Sequence, residues 1–220
     1  MNVASMSKMT IRDCMDAALQ LLNQYSIAGT LVPLSYNDQS DDENRMINLI
    51  NDAQMQIATT VRPIEERLSF VVPEPELTEP DRYIENEMPE GFNNPIALYF
   101  TPSKGPQIMT DANRYKWLGD NTLLLPNRPA GTYDLVYGRV PVRYDKDTDK
   151  TTALDNKPDT HEIIPYYVAA MIAIDDNPKA YYALYNVWET RLSRLGMKPA
   201  HAVSTQIEDV YGFNMFGGLW

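Results

Sequence analysis

Apolar residues recur at helical spacing near the start of the chain. Ile11, Met15, Ala18, Leu22 and Tyr25 form one stripe, opened by Thr10 and Asp13 in a capping-box arrangement. Ser40-Asp41-Asp42-Glu43 reads as a second helix start, with an N-cap serine and acids in the first turn. Ile47, Ile50, Ala53, Ile57 and Val61 follow, and Pro63 ends that helix. The period then changes. LSFVV (68–72), IALYF (96–100), RYKWL (114–118), TLLLP (122–126) and TYDLVYGRVPVRY (132–144) are short strand-like runs separated by Pro, Gly and Asn. Gly119-Asp120-Asn121 predicts a hairpin turn between two of them. Helical spacing returns with Ile163, Tyr167, Ala170, Met171 and Ile174. It continues with Tyr181, Leu184, Tyr185, Trp188, Leu192 and Leu195. Asp159 and Glu162 form a second capping-box pair. Asn177 is placed to cap the last helix with Pro178 at its first position. The break at 175–178 is short enough to predict an antiparallel helical hairpin.

This order predicts an α+β fold: a four-helix-type bundle from both chain ends, an inserted antiparallel β domain, and an extended C-terminal arm. The expected boundaries are 1–66 for the N-terminal helices, 67–149 for the β domain, 150–196 for the hairpin and 197–220 for the arm. Residues 74–90 hold seven acids against one base, Arg82, and read as an exposed loop or edge with a solvated face. The arm has no convincing period, yet it carries Ile207, Val210, Tyr211, Phe213, Met215, Phe216, Leu219 and Trp220. A segment so rich in apolar residues is expected to dock on something.

Bulk properties narrow the function. The formal net charge is −11 and the basic residues are scattered singly, which argues against tight DNA binding. An acidic wall repels DNA, a useful property where DNA has to slide past. No run has the apolar length to span a bilayer, and the first residues lack a signal-peptide core, so residence where the chain is made is expected. One cysteine, Cys14, excludes an intrachain disulfide and reads as a small core residue.

Candidate chemistry falls away on inspection. Asp145, Asp147 and Asp149 open like a calcium loop, but Lys150 stands where glycine is required and Asn156 where glutamate is. His161-Glu162 begins like a zinc-protease helix, but Pro165 occupies the second histidine position. His161 and His201, the only histidines, read as surface residues. No phosphate-binding glycine loop is present, and no carboxylate pair stands out. The expectation is a protein with no catalytic, cofactor or metal site. Tyr166, Tyr167, Tyr181, Tyr185 and Trp188 are the candidates for a subunit interface, since tyrosine-rich helical faces suit burial against another chain.

The hairpin YYVAAMIAIDDNPKAYYALYNVWETRLSRL resembles the C-terminal helices of tailed-phage head-to-tail connector proteins, the adaptors beneath the portal. Tyr167, Ala169, Ala170, Asp175, Asp176 and Pro178 carry the resemblance. The N-terminal helices are also similar. The β insertion matches by architecture, as some tail tube adaptors carry one. The resemblance implies a homo-oligomeric ring, usually of twelve subunits, in the virion neck, assembled in the host cytoplasm. Its partners would be the portal and a downstream neck or tail protein, with double-stranded DNA passing through the lumen unbound. The apolar arm would dock on the portal. Two other readings stay open: a hydrolase with its site in the β domain, and a monomeric binding module whose tail folds back on its own core.

Overall fold

The structure is a computed structural model and describes residues 8–25, 39–74, 80, 82–103, 105–110 and 115–196. Two helices, α1 (Ile11–Tyr25) and α2 (Gln39–Thr60), come first. Among the described residues seven strands follow: β1 (Ile64–Val72), β2 (Tyr83–Glu87), β3 (Phe92–Pro102), β4 (Ile108–Met109), β5 (Lys116–Leu118), β6 (Thr122–Pro126) and β7 (Gly131–Arg139). A 3-10 turn (Pro158–Ile163) then leads into α3 (Ile164–Ala173) and α4 (Pro178–Gly196).

The start of α1 is a reciprocal cap. The Thr10 backbone N–H donates to Asp13 Oδ2 at 3.0 Å, and the Asp13 N–H donates to Thr10 Oγ1 at 3.1 Å. Ile11, Cys14, Met15 and Ala18 are buried along one face, while Arg12, Asp13 and Asp16 are exposed. In α2 the buried stripe is Met46, Ile47, Ile50, Ala53 and Ile57. The side chains at 39–41, where its cap is expected, lie outside the described residues.

The expected four-helix bundle is not what these helices build. A bundle needs each helix to offer one apolar stripe to a shared axis. α3 is only 10 residues long, and Ile164, Tyr167, Val168, Ala169, Ala170 and Ala173 are all buried, so apolar side chains face several directions. A helix buried most of the way round belongs in the middle of a layer. α1, α2 and α4 each pack on α3, whereas α1 and α2 barely touch. Small residues at 169, 170 and 173 permit that close approach. The capping box at Asp159 and Glu162 also fails to form. The 3-10 turn starts without a side-chain cap, and Asp159 Oδ2 instead accepts from Arg62 Nη2 at 3.0 Å. The α3–α4 break is capped as its sequence suggests: Asn177 Oδ1 accepts the Ala180 N–H at 3.1 Å.

The middle of the chain is two antiparallel sheets rather than one. Their orders are β1-β7-β3-β4 and β2-β6-β5. Val72, Leu98, Phe100, Tyr133, Leu135 and Tyr137 of the larger sheet meet Leu123 and Leu125 of the smaller in one core, with Phe70, Ile84 and Trp117 packed against it. The acidic stretch contributes β2, an edge strand whose Ile84 turns inward while Tyr83, Glu85 and Glu87 are exposed. The run 132–144 stops as a strand at Arg139, two residues before Pro141. Gly119 sits at φ 63° in the β5–β6 turn, a conformation that favours glycine. At Gly131 a Cβ would lie 2.4 Å from the Thr101 carbonyl, so only glycine lets β7 start this close to β3. The apolar arm residues Ile207, Val210, Tyr211, Phe213, Met215, Phe216, Leu219 and Trp220 lie outside the described residues.

Candidate assembly surface

The five aromatic interface candidates separate into two groups. Tyr167 and Trp188 are 6% and 1% exposed and pack on each other with ring centroids 5.1 Å apart. Tyr167 Oη also accepts from Gln56 Nε2 at 3.2 Å. Both side chains are spent on the chain's own core. Tyr166, Tyr181 and Tyr185 are half-buried. The Arg191 guanidinium lies 4.4 Å from the centre of the Tyr166 ring. Tyr181 stacks on Tyr185 at 5.5 Å and touches Tyr182 at 5.2 Å. Tyr182, absent from the candidates chosen by sequence, is the exposed member of this row at 64%. The signal for it was present: the core stripe of α4 runs through 180, 184 and 188, and position 182 falls on the other side of the helix.

At the end of the helical layer that holds the α3–α4 turn lies an apolar groove of about 170 Å³. Leu19 and Leu22 of α1, Met46 of α2, and Ile172 and Ala180 of the hairpin form its walls. Asp42, Arg45 and Asp176 stand around it. Arg45 is turned toward the hairpin: its Nη2 donates to the Met171 carbonyl at 3.2 Å and lies 3.8 Å from Asp175. No single stripe in the sequence announces this groove, because its walls come from four elements.

A polar junction ties the helices to the sheets. Asn51 clamps the backbone of Tyr144, donating to its carbonyl at 2.8 Å and accepting its N–H at 2.9 Å. Gln54 Oε1 accepts the Asp155 N–H at 2.9 Å, and the Gln54 carbonyl accepts from Asn156 Nδ2 at 3.1 Å. Asp155 in turn takes the Arg139 guanidinium in a fork at 2.6 and 2.8 Å. Arg139 Nε reaches Glu66 at 2.6 Å, and Tyr137 Oη donates to the same carboxylate at 2.9 Å. The hydrogen bonds from Arg139 hold the Asp155 carboxyl below the usual carboxylate range, although burial alone pushes it up.

His161 belongs to this junction, which corrects its assignment to the surface. It is 2% exposed. Its Nδ1 accepts the Met9 N–H at 3.1 Å, so the proton sits on Nε2 and is donated to the Asn156 carbonyl at 2.8 Å. Burial pushes its pKa down. The Asn156 contact opposes that shift. The signal that misled is position: a histidine in a first turn is usually solvated, but this turn is pinned under residues 8–12 and 150–154, which pair through a β-bridge at Thr10 and Ala153.

The outer face of the larger sheet carries one further cluster. Asp134 accepts from Ser69 Oγ at 2.5 Å, Arg67 Nη2 at 2.7 Å and Gln107 Nε2 at 2.9 Å. Burial raises its pKa, but the bonds from Ser69 and Arg67 outweigh that and hold it low. A carboxylate stabilised in this way is a weak base toward Ser69, so the cluster reads as a cross-strand brace. Cys14 is buried in the helical core, where burial pushes its thiol up and away from reactivity. The 145–149 loop closes on itself, Asp145 Oδ1 accepting from Thr148 and from the Asp147 N–H. Among the described residues no group of three metal-ligating side chains gathers, and no helix is long and apolar enough to cross a membrane. No protein-family model matches the chain, and neither does any curated protein.

Proposed function

We propose that the protein is a structural assembly protein, a ring-forming connector between a phage portal and the tail. In this reading it is made in the host cytoplasm and resides in the virion neck. The observation that carries the reading is the outward face of α4, where Tyr181 stacks on Tyr185 and touches Tyr182, whose own ring is left largely exposed. Tyrosine on a rigid helix is the residue type that anchors interfaces. The resemblance of residues 166–195 to connector helices gives the direction, and the net charge of −11 suits a wall along which DNA slides. The arm, residues 197–220, makes the portal contact.

Native mass spectrometry of the purified protein, alone and with a portal, tests this. A closed ring, or a portal complex lost on deleting residues 204–220, supports the reading. A persistent monomer without portal affinity removes it.

A further inference from the structure

We infer that subunits join head to tail, with Tyr182 of one copy seated in the apolar groove between α1, α2 and the α3–α4 turn of the next. This inference rests on the ring reading and names the contact that would build it.

Three observations meet here. The groove is an apolar hole of about 170 Å³, close to the size of a cavity that accepts a single aromatic ring. Tyr182 is an exposed aromatic side chain on a rigid helix, braced from one side by Tyr181. The two lie on opposite sides of the same element. Ala180 lines the groove and is buried, and two residues further on the helix has turned by about 200°. A knob and a hole on opposite sides of one helix cannot meet within the subunit, so they satisfy each other only in a neighbouring copy. The contact is therefore heterologous, and it gives a ring if the rotation closes.

Charge agrees with this pairing. Lys179 is exposed three residues before Tyr182, on the same face of α4. The groove carries Asp42 and Asp176, while the nearby Arg45 is engaged by Asp175 and the Met171 carbonyl. A docked Tyr182 brings Lys179 toward the two acids, and its hydroxyl stays at the polar mouth.

The test uses the full chain. Self-association is followed by native mass spectrometry and sedimentation for the wild type, Tyr182→Ala and Leu22→Arg, with the melting temperature as a check on the fold. Each variant should weaken association by about thirtyfold or more, as loss of an interface anchor does. Each keeps one half of the contact, so a mixture of the two should form a one-to-one dimer and no ring. Should Leu22→Arg fail to fold, Asp42→Lys replaces it. That variant should weaken association, and adding Lys179→Glu in the same chain should restore it. Rings that persist in Tyr182→Ala would overturn this contact and leave the ring reading standing. A wild type that stops at dimers would overturn the head-to-tail contact and the ring together, because a heterologous contact leaves a free knob and a free hole on every dimer. A wild type that stays monomeric at every concentration would overturn both.

Discussion

The helical layer and the sheet pair dispose of their side chains in opposite ways. In the sheets, charged and polar groups are matched within the chain: Arg67 and Ser69 with Asp134, Glu66 with Tyr137 and Arg139, Lys157 with Glu65. In the helices, Tyr167 and Trp188 fill the core, but Tyr182 and the groove beside Leu22 and Met46 are left with apolar surface open. The sheets also expose single apolar side chains, Val71, Met109 and Leu118 among them, but the helical layer sets an exposed tyrosine and an apolar groove on one helix. The helical layer is therefore where association should be sought, and the sheets are where internal stability should.

The largest effect expected from this contrast separates two aromatic residues on one helix. Trp188→Ala should cost about 3–5 kcal/mol of stability, because a large fully buried side chain leaves a cavity. Tyr182→Ala should leave the isolated subunit within about 0.5 kcal/mol of wild type, as exposed substitutions generally do. Urea denaturation at low protein concentration measures both. Equal losses would mean that Tyr182 is also packed in the subunit, and the contrast would fail.

Next in size is the junction. Arg139→Ala leaves Asp155 and Glu66 without their shared partner in a setting where the arginine side chain is 20% exposed. Breaking a largely buried pair in this way costs about 3 kcal/mol. The loss should fall on the coupling between the two regions, so a single denaturation transition should divide into two. Intrinsic tryptophan signals would follow it, since Trp188 reports on the helices and Trp117 on the sheets. A single transition shifted as a whole would show that the regions are held together by other contacts.

How much of this the sequence revealed depended on how local each feature is. The stripes of α1 and α2, the β5–β6 turn and the Asn177 cap are set by residues a few positions apart, and they were legible. The arrangement of α3 was not. Val168, Ala169 and Ala170 in succession mark a helix buried on several sides, and the stripe through Ile163, Tyr167 and Ala170 hid that pattern. The second sheet was illegible for another reason. β1 pairs with β7 across the whole middle of the chain, and β2 pairs with β6, so the split depends on contacts no short window contains. The same holds for Arg139 and its partners Glu66 and Asp155, which meet only through the fold.

Acid should act in two pH windows, the upper one at His161 in the junction and the lower one at the paired carboxylates. The His161 pKa is lowered in the folded chain, so the unfolded chain binds more protons as pH falls below its ordinary value of 6.5. Stability is complete above that value and declines as pH drops through it. Protonation puts a second N–H against the Met9 N–H that Nδ1 accepts, so residues 8–12 should loosen first. Asp134 and Asp155 are also lowered, from 3.8, so their contributions persist until pH falls below that value. Melting temperature against pH should therefore show two steps. His161→Gln should erase the upper one and leave the lower. An upper step that survives in His161→Gln would assign it to another group.

The smallest effect expected is at the break between α3 and α4. Asn177 Oδ1 accepts the Ala180 N–H, which would otherwise stand without a partner at the helix start. Asn177→Ala should cost about 1 kcal/mol, the usual loss for an N-cap. Because Asn177 and Ala180 also line the groove, the first turn of α4 should fray next to the site proposed for Tyr182. Hydrogen exchange should speed up at 179–182 and stay unchanged in β1, β3 and β7, where the backbone is held by the sheet ladder. Association should weaken by more than the stability loss predicts, since a groove with a frayed wall must be ordered again before it can accept a side chain. If exchange at 179–182 rises and association is untouched, the cap serves the helix alone and the groove is formed without it.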